Sequence, residues 1–512
     1  SVGDCWLMSA LSALIQRDED IIKSLFITNQ KSANGKYQIR LCKDGVWITV
    51  VIDDFLPCKI GCLHYAEVER KQMWLPLLEK AAAKLYGCYE GLDYGLRYEA
   101  FGLLTDAPCE TVYIQRTSYA DDFDADAIWL RLLANGKCLY PMVASCGTNG
   151  MNVEEIEYQR TGLSSNHIYA VLDVREIDGH RLIQLRDPYG STTWKGDWSN
   201  RSDLWTPSLK TRLLQNDAKG EAFWISFKDI LKYFFVFGVC KIRDGWTNTR
   251  FTGTFPVETQ ELSGVSFVVP EPMEIDFVLY QENQRYMEPA KRRQMDISLA
   301  IFRKVSSCPP GYEIVGFSNR TLHPVLYYTQ TLDCGEYMIV PMSFNRWSLD
   351  NVKDPSYRVV LHSKWDVSAR MERLSDWTVR NIMISIVRKY GKVTHHLAEK
   401  FRVYILSRLF CGIAVLVEND CTNHHVHFNF DTTDGFNIVS SRGDAQLTVD
   451  SLPPQHGQIV GIYTQRNSEE AFSSSYRYVC TLSSDSKLGD LHVPDTKIKD
   501  NTLHSVYPLC TS

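Results

Sequence analysis

Cys5 has the residue type and the position that a catalytic nucleophile needs. It lies in the run GDCWLM at residues 3–8, at the start of a nearly all-apolar stretch that predicts a buried helix with Asp4 as its N-cap. The first turn of a helix offers the positive end of the dipole and backbone N–H groups, which favour a thiolate over a thiol. The Cys5 N–H could also help to hold an oxyanion. The alternative is a buried structural cysteine, because cysteine is among the most buried residue types.

A nucleophilic cysteine needs a histidine base, and the base needs a group that orients it. The predicted strands 167–175 and 180–186 form a hairpin that would bring His167 within a few residues of Asp187. The strand register decides whether the two side chains share a face. The alternative is a surface histidine beside an acid that begins a turn, since the sequence DPYG at residues 187–190 is common turn chemistry.

The secondary structure that the sequence predicts changes near residue 250. Before it, helix and strand signals are mixed, with a hairpin over residues 37–52 and a second helix over residues 76–86. After it, short β-branched and aromatic runs alternate with turn residues, which predicts antiparallel sandwiches. One helical interruption is predicted at residues 377–389, and a domain break is predicted at residues 347–355.

The composition is that of an ordinary globular protein of several domains. The chain has 512 residues, 44% hydrophobic and 23% charged, with a formal charge of −6 and no basic block. This balance offers no electrostatic footprint for nucleic acid, and no apolar run approaches the roughly 20 residues of a transmembrane segment. The 15 cysteines, an odd number at irregular spacing, favour reduced cytosolic thiols. The chain begins at Ser1 without Met or a signal pattern, so we expect further sequence upstream.

Several motifs together resemble those of one protease family. The runs GDCWL at Cys5, HIYAV at His167 and RDPYG at residues 186–190 resemble the three catalytic blocks of calpains. The segments that agree between and after these blocks are residues 51–57, 78–81 and 223–227, together with Trp194 and Trp198. Three shorter sequence features resemble the small optic lobes (calpain-15-type) branch of the family. They are residues 37–45, the pair Cys58 and Cys62, and residues 144–147. The resemblance is strongest over residues 1 to about 245.

The resemblance implies an α+β papain-like calpain protease core of two subdomains, followed by all-β sandwich-like domains. The boundaries that we predict are 1–135 for the subdomain with the nucleophile, 136–245 for the subdomain with the histidine and the acid, 246–350 for a calpain-type β-sandwich, and 351–512 for a β-rich C-terminal domain of the small optic lobes type.

The resemblance also implies an intracellular, cytoplasmic cysteine endopeptidase that cleaves protein substrates by limited proteolysis. The catalytic residues would be Cys5, His167 and Asp187, with the cysteine thiolate attacking a peptide carbonyl and water releasing the acyl group. Three residues depart from the family pattern: Asp187 replaces Asn, Tyr189 replaces Trp, and Asn166 replaces Gly. These departures leave open a second hypothesis, a catalytically weakened scaffold of the same fold that binds partners. The family's oxyanion Gln is expected before Ser1, and the oligomeric state stays open.

No cofactor and no metal site is predicted. Calpain-type calcium sites need acids, but the corresponding positions hold Gln72, Thr193, Asn200, Gly220 and Ala222, with Glu221 displaced by one residue. The only metal-like cluster is Cys421, His424, His425 and His427, which is interpreted as a polar edge strand with solvated histidines because its spacing matches no zinc template. Cys58 and Cys62 are interpreted as free thiols in a loop, and His395-His396 as a solvated turn or helix face.

Overall fold

The chain divides into two compact units, residues 1–244 and 245–512. The computed structural model describes residues 3–67, 72–115, 123–147, 151, 153–190, 193–214, 222–256, 262–285, 287–288, 292, 294–305, 311–345, 354–396, 400–407, 412–443, 446–466, 470–487 and 502–509. Within those ranges, none of the helices combines the length and the apolarity that crossing a membrane requires.

The first unit mixes helices and strands. Its helices are α1 (Cys5–Arg17), α2 (Glu19–Lys23), α3 (Trp74–Leu85), α4 (Arg97–Thr105), α5 (Ala125–Lys137), α6 (Glu155–Thr161), α7 (Pro207–Leu213) and α8 (Phe227–Tyr233). Its strands are β1 (Lys36–Lys43), β2 (Val46–Asp53), β3 (Cys58–Lys59), β4 (Cys62–Leu63), β5 (Cys109–Tyr113), β6 (Met142–Cys146), β7 (His167–Ile177), β8 (His180–Arg186), β9 (Ala222–Ser226) and β10 (Phe234–Cys240).

Helix α1 is buried on most of its surface, as its apolar sequence predicts. Trp6, Leu7 and Leu14 are fully buried, and the helix packs on α4 and β7. The β1–β2 hairpin turns at Asp44 and Gly45, which both have positive φ as a tight two-residue turn requires. The predicted helix and hairpin are therefore confirmed.

The first unit also contains a six-stranded antiparallel sheet, in the order β5-β10-β6-β7-β8-β9. The β7–β8 hairpin turns at Asp178 and Gly179, again with positive φ at both residues, as predicted. Trp129 of α5 packs with Phe237 and Tyr169 of the sheet in one core. Strand β5 pairs with β10 and helix α5 packs on β7, so this layer includes elements that precede the predicted boundary at residue 135.

The second unit is largely β-structure, which confirms the predicted change of fold class. Its elements are β11 (Thr247–Thr254), β12 (Leu262–Val269), β13 (Met273–Gln281), β14 (Ile297–Val305), β15 (Gly311–Phe317), β16 (Val325–Leu332), β17 (Gly335–Ser343), β18 (Ser356–Ser363), β19 (Ala369–Leu374), α9 (Asp376–Tyr390), β20 (Lys392–His396), β21 (Phe401–Leu406), β22 (Gly412–Asn419), β23 (His425–Asp431), β24 (Ile438–Ser440), β25 (Leu447–Leu452), β26 (His456–Gln465), β27 (Arg477–Ser483) and β28 (Tyr507–Pro508).

The first part of this unit is a sandwich of two antiparallel sheets. Their orders are β11-β18-β13-β16 and β15-β14-β17-β12-β19, and residues such as Phe277 and Ile301 fill one core between them. Strands β18 and β19 follow the predicted boundary at residue 350 but pair inside these two sheets, so the sandwich extends to Leu374.

Helix α9 lies between two sheets. One is the five-stranded sheet of the sandwich, and the other has the order β20-β21-β22-β26-β24. Ile382 and Ile386 of the helix share a core with Met338 of the first sheet and with Leu416 and Ile459 of the second. The opposite face of the second sheet packs on a three-stranded sheet, β25-β23-β27, through a separate core. The helix predicted at residues 377–389 is confirmed.

Candidate active site

Helix α1 begins at Cys5, whose side chain is half-buried. Asp4 takes the N-cap position, and its backbone oxygen accepts the N–H groups of Leu7 (2.9 Å) and Met8 (3.1 Å). Its side chain makes no capping bond, contrary to the expectation for an Asp N-cap. The reason is that the carboxylate points to other partners, described below.

His167 and Asp187 meet at the open end of the β7–β8 hairpin. His167 is the first residue of β7, and Asp187 directly follows the last residue of β8. His167 Nε2 lies 2.8 Å from Asp187 Oδ1, and the Asp187 side chain is fully buried. The same oxygen accepts the backbone N–H of Tyr189 at 3.1 Å. The strand register thus places both side chains on the same face, the question that the sequence left open.

Cys5 contacts the same histidine. The Cys5 side chain lies close enough to His167 to raise the pKa of the imidazole, and since Nε2 is directed to Asp187, Nδ1 is the nitrogen that remains for the sulfur. Burial of the ring lowers the His167 pKa, but the hydrogen bonds with Asp187 and Cys5 outweigh it and raise the pKa to about 9. The imidazolium form is therefore favoured at neutral pH, which suits a base that has taken a proton from a thiol.

A serine that the sequence analysis did not single out ties the two halves of this arrangement together. Ser9 is completely buried one turn after Cys5, and its hydroxyl donates to the backbone oxygen of Ile168 at 2.7 Å. Ile168 directly follows His167 in β7. The bond fixes the nucleophile helix against the strand that carries the histidine, but its partners lie 159 residues apart, so no local signal could have revealed it.

Tyr189 is a second group with a role that the sequence analysis missed. Its ring lies 5.6 Å from the His167 ring, between centroids, at an interplanar angle of 33°. Its hydroxyl donates to Asp4 Oδ1 at 2.6 Å. Tyr189 was recognised only as a departure from the family's Trp, whereas the hydroxyl gives it a bond that Trp could not make in the same way.

Glu79 of α3 completes this group from a third element. It is almost fully buried, its Oε2 accepts the N–H of Ala66 at 2.9 Å, and its carboxyl group neighbours that of Asp4. Burial, and then the negative charge of Asp4, raise the Glu79 pKa to about 8. Burial also raises the pKa of Asp4, although its hydrogen bonds with Tyr189 and Glu79 oppose this.

Asn166, which stands where the family usually has Gly, keeps the backbone shape that glycine would give. Its φ is +50°, in the left-handed region that Asn tolerates better than most residues. Its N–H donates to the backbone oxygen of Gly147 at 3.0 Å. The substitution therefore leaves the entry into β7, and with it the position of His167, intact.

Two of the positions expected for calcium ligands hold amide side chains that bond to nearby groups. Gln72 Oε1 accepts a hydrogen bond from Trp74 Nε1 (3.1 Å), and Asn200 Nδ2 donates to the backbone oxygen of Ala222 (3.3 Å). Both side chains are uncharged and used locally, whereas calcium requires several carboxylate oxygens. Gly220 and Glu221 lie outside the described residues.

The other sequence-predicted candidates lie elsewhere. Over the described ranges, no group of three or more His, Cys, Asp and Glu side chains is arranged to hold a metal ion. The prediction of a solvated edge strand at residues 421–427 was wrong, because β23 is the central strand of its sheet and His427 is buried, with Nε2 2.9 Å from the Asp485 backbone oxygen. Cys58 and Cys62 are exposed free thiols, but on the short β3–β4 hairpin rather than in a loop.

The backbone conformation predicted for His395-His396 was also wrong. The two residues lie in strand β20, paired with Arg402 and Phe401 of β21, and not in a turn or a helix.

Two family models match the chain. Residues 1–241 match the calpain family cysteine protease model, and residues 386–486 match the Calpain-D-like, C-terminal domain model. The curated relatives include the calpain-type cysteine protease DEK1 of Zea mays, 33% identical over 245 residues, which are 47% of this chain and 11% of that protein. The calpain-1 catalytic subunit of Rattus norvegicus is 31% identical over 276 residues, 50% of this chain and 37% of that protein.

The calpain-2 catalytic subunit of Homo sapiens is 29% identical over 252 residues, 47% of this chain and 35% of that protein. The chain thus spans less than two fifths of the length of each of these relatives. The matched region coincides with the first unit, which contains Cys5, His167 and Asp187. Residues 1–241 are thus similar to the calpain family of cysteine proteases and form a papain-like core, and a region similar to the Calpain-D-like C-terminal domain follows in the second unit.

Proposed function

We propose that this chain is an intracellular cysteine endopeptidase that performs limited proteolysis through Cys5, His167 and Asp187. The observation that carries the proposal is the contact of His167 Nε2 with Asp187 Oδ1 at 2.8 Å, on an imidazole whose pKa the neighbouring Cys5 side chain helps to raise. Nucleophile, base and orienting group are within bonding reach of one another, which is the geometric requirement for this chemistry.

Each residue has a defined step in the proposed mechanism. His167 takes the proton of the Cys5 thiol, and the thiolate attacks the carbonyl carbon of the scissile peptide bond. The backbone N–H of Cys5 helps to bind the resulting oxyanion. The intermediate collapses as the His167 imidazolium gives its proton to the leaving amine, and His167 then activates the water that hydrolyses the thioester. Asp187 holds the ring in one orientation and stabilises its positive charge.

The departures from the family pattern are compatible with catalysis. The Asp187 carboxylate offers the imidazole the oxygen that an Asn side chain would offer, and Asn166 keeps the left-handed backbone of the usual Gly. Both facts support the protease hypothesis over the scaffold of the same fold. The scaffold hypothesis remains the outcome to expect if the Cys5 sulfur proves unreactive.

We also infer that calcium does not activate this core through the usual sites, because Gln72 and Asn200 supply no charge where acids are expected. A cytoplasmic location is supported by the 12 described cysteines, which are all free thiols. Membership of the small optic lobes branch is supported by the resemblance of residues 37–45 and by the Calpain-D-like match in the second unit.

The test is cleavage of an unfolded protein substrate, together with labelling by a peptidyl epoxide that alkylates an active-site thiolate. The wild-type chain, with its upstream residues included, is compared with Cys5→Ala and with Cys138→Ala, an exposed cysteine after α5. We expect Cys5→Ala to lose both signals and Cys138→Ala to keep both. Equal turnover by Cys5→Ala and wild type would refute the cysteine-protease assignment, and absence of labelling in the wild type would favour the scaffold.

A further inference from the structure

The contacts around Cys5 close into a ring. Asp187 bonds to His167, His167 contacts Cys5, Cys5 is joined by a peptide bond to Asp4, and Asp4 accepts the hydroxyl of Tyr189. Tyr189 lies two residues after Asp187 in the chain, so the ring of contacts ends in the segment where it began. The nucleophile helix and the acid-bearing segment are thus connected twice, once through the catalytic side chains and once through the Tyr189 hydroxyl.

The second connection depends on a proton. Asp4 and Glu79 are neighbouring carboxyl groups, each of which affects the pKa of the other, and both are buried, at 4% and 1% exposure. Two neighbouring buried carboxylates repel each other when both are ionised, so this arrangement favours a proton on one of the two. Burial and the Asp4 charge, which raise the Glu79 pKa to about 8, agree with Glu79 as the protonated partner at neutral pH.

Several other titratable groups surround the Asp4–Glu79 pair and are affected by its charge. On the Asp4 side these are Cys5 and Tyr189, with His167 beyond the thiol, and Asp93, which accepts the Gly3 N–H at 2.5 Å. On the Glu79 side they are Tyr65 and Tyr89, whose own pKa values are raised first by burial and then by acids including Glu79. With the proton present, the pair holds one negative charge, at the Asp4 carboxylate that accepts the Tyr189 hydroxyl; without it, the pair holds two.

We propose that Tyr189, Asp4 and Glu79 are positioning residues, in which the Tyr189 hydroxyl fixes the nucleophile helix against the acid-bearing segment and the proton shared by Asp4 and Glu79 keeps this bridge closed. The proposal rests on the proposed function, since positioning matters only if Cys5 and His167 react. Loss of the shared proton leaves two buried carboxylates that repel each other, so Asp4 moves from its place beneath Tyr189 and the sulfur loses its alignment with the imidazole.

Glu79→Gln removes the titratable proton at this position while keeping a side chain of nearly the same shape. A glutamine amide can donate to Asp4 and accept from the Ala66 N–H, as protonated Glu79 does, but it does not titrate. We expect Glu79→Gln to lower kcat at pH 7 by less than Glu79→Ala does, and to move the basic limb of kcat/KM from near pH 8 towards pH 9, where His167 loses its proton. Glu79→Ala leaves Asp4 without the donor, and we expect its kcat to fall at every pH.

Tyr189→Phe removes only the hydroxyl of the bridge. We expect kcat to fall about tenfold, as for a lost hydrogen bond to a charged group, with KM changed by much less because the ring remains. The matched control is Tyr140→Phe, which removes a tyrosine hydroxyl that accepts from Arg243 Nε (3.2 Å) away from Cys5. Tyr140→Phe is expected to keep the wild-type kcat and pH profile.

The measurements are kcat, KM and the rate of peptidyl-epoxide labelling of Cys5 between pH 6 and pH 10, on the full chain. A Glu79→Gln limb that coincides with the wild-type limb, or a Tyr189→Phe kcat equal to that of Tyr140→Phe, overturns the inference while Cys5 labelling shows that the protease assignment stands. Conversely, cleavage that survives Cys5→Ala refutes the proposed function itself. If Tyr189→Phe does not fold, the Glu79→Gln profile decides the matter alone.

Discussion

At the scale of single residues, the surroundings of His167 determine its protonation state. Its ring is mostly buried, which by itself would keep it neutral. The Asp187 carboxylate reverses this by supplying both a hydrogen bond and a negative charge to the imidazolium. A neutral amide at the same position would supply only the hydrogen bond, so Asp187 should give this chain a more basic histidine than Asn would.

Asp187→Asn tests this effect directly. We expect the variant to stay active but with the His167 pKa below about 9, because the carboxylate charge is gone while the hydrogen bond remains. Since a raised histidine pKa stabilises the protonated form, the stabilisation that it adds to the fold is present below pH 6.5 and is lost as the pH rises through 9. The NMR titration of the His167 ring protons measures the shift, and the basic limb of the rate profile should move down with it.

Asp187→Ala is the matching negative control. It removes the hydrogen bond as well as the charge, and we expect activity to fall far below that of Asp187→Asn. Full activity in Asp187→Ala would show that Asp187 only begins the turn at residues 187–190.

Asn166 permits a second residue-scale prediction, because its positive φ strains residues with a Cβ and no compensating side chain. Asn166→Ala should lower the free energy of unfolding by about 1 kcal/mol, whereas Asn166→Gly should leave it nearly unchanged. Denaturant titration of the two variants measures the difference. A larger loss in Asn166→Gly than in Asn166→Ala would contradict the backbone explanation.

At the scale of elements, the contact between α1 and β7 decides whether the nucleophile meets its base. The buried hydroxyl of Ser9 anchors it by donating to the Ile168 oxygen at 2.7 Å. Because β7 starts at His167, a small shift between the two elements changes the distance between the Cys5 sulfur and the imidazole. Precise placement of this kind governs reaction rates strongly.

Ser9→Ala should therefore affect both stability and rate. Loss of a buried hydrogen bond is expected to cost about 1–3 kcal/mol of unfolding free energy, and the rate of epoxide labelling of Cys5 should fall. Ser24→Ala is the control, since Ser24 is exposed and its hydroxyl also donates to a backbone oxygen, that of Ile21, at 2.7 Å. Equal labelling rates in Ser9→Ala and Ser24→Ala would show that the bond has no positioning effect.

The same scale shows what the sequence could and could not predict. The β1–β2 and β7–β8 hairpins were predictable because their turns contain Asp-Gly, a pair suited to positive φ. Helix α1 was predictable from its apolar run. The bond from Tyr189 to Asp4, the bond from Ser9 to Ile168 and the pairing of β5 with β10 join residues more than 100 positions apart, and no local propensity specifies such contacts.

At the scale of the whole molecule, the chain is expected to act without a calcium switch in its protease core. Peptide cleavage and Cys5 labelling should have the same rates in excess chelator and in millimolar calcium, because the described ligand positions carry no carboxylate. The assay needs the upstream residues, since part of one expected site precedes Ser1. A large rise in either rate on adding calcium would contradict the prediction.

The placement of helix α9 has a consequence for the order in which the second unit is made. The core around Ile386 contains Met338 from the earlier sandwich and also Leu503 and Tyr507, and β28, at residues 507–508, pairs with β26. A ribosome releases the sandwich well before it releases these last residues. The core around α9 can therefore be completed only after residues 503 and 507 have been made, long after the sandwich strands that it shares.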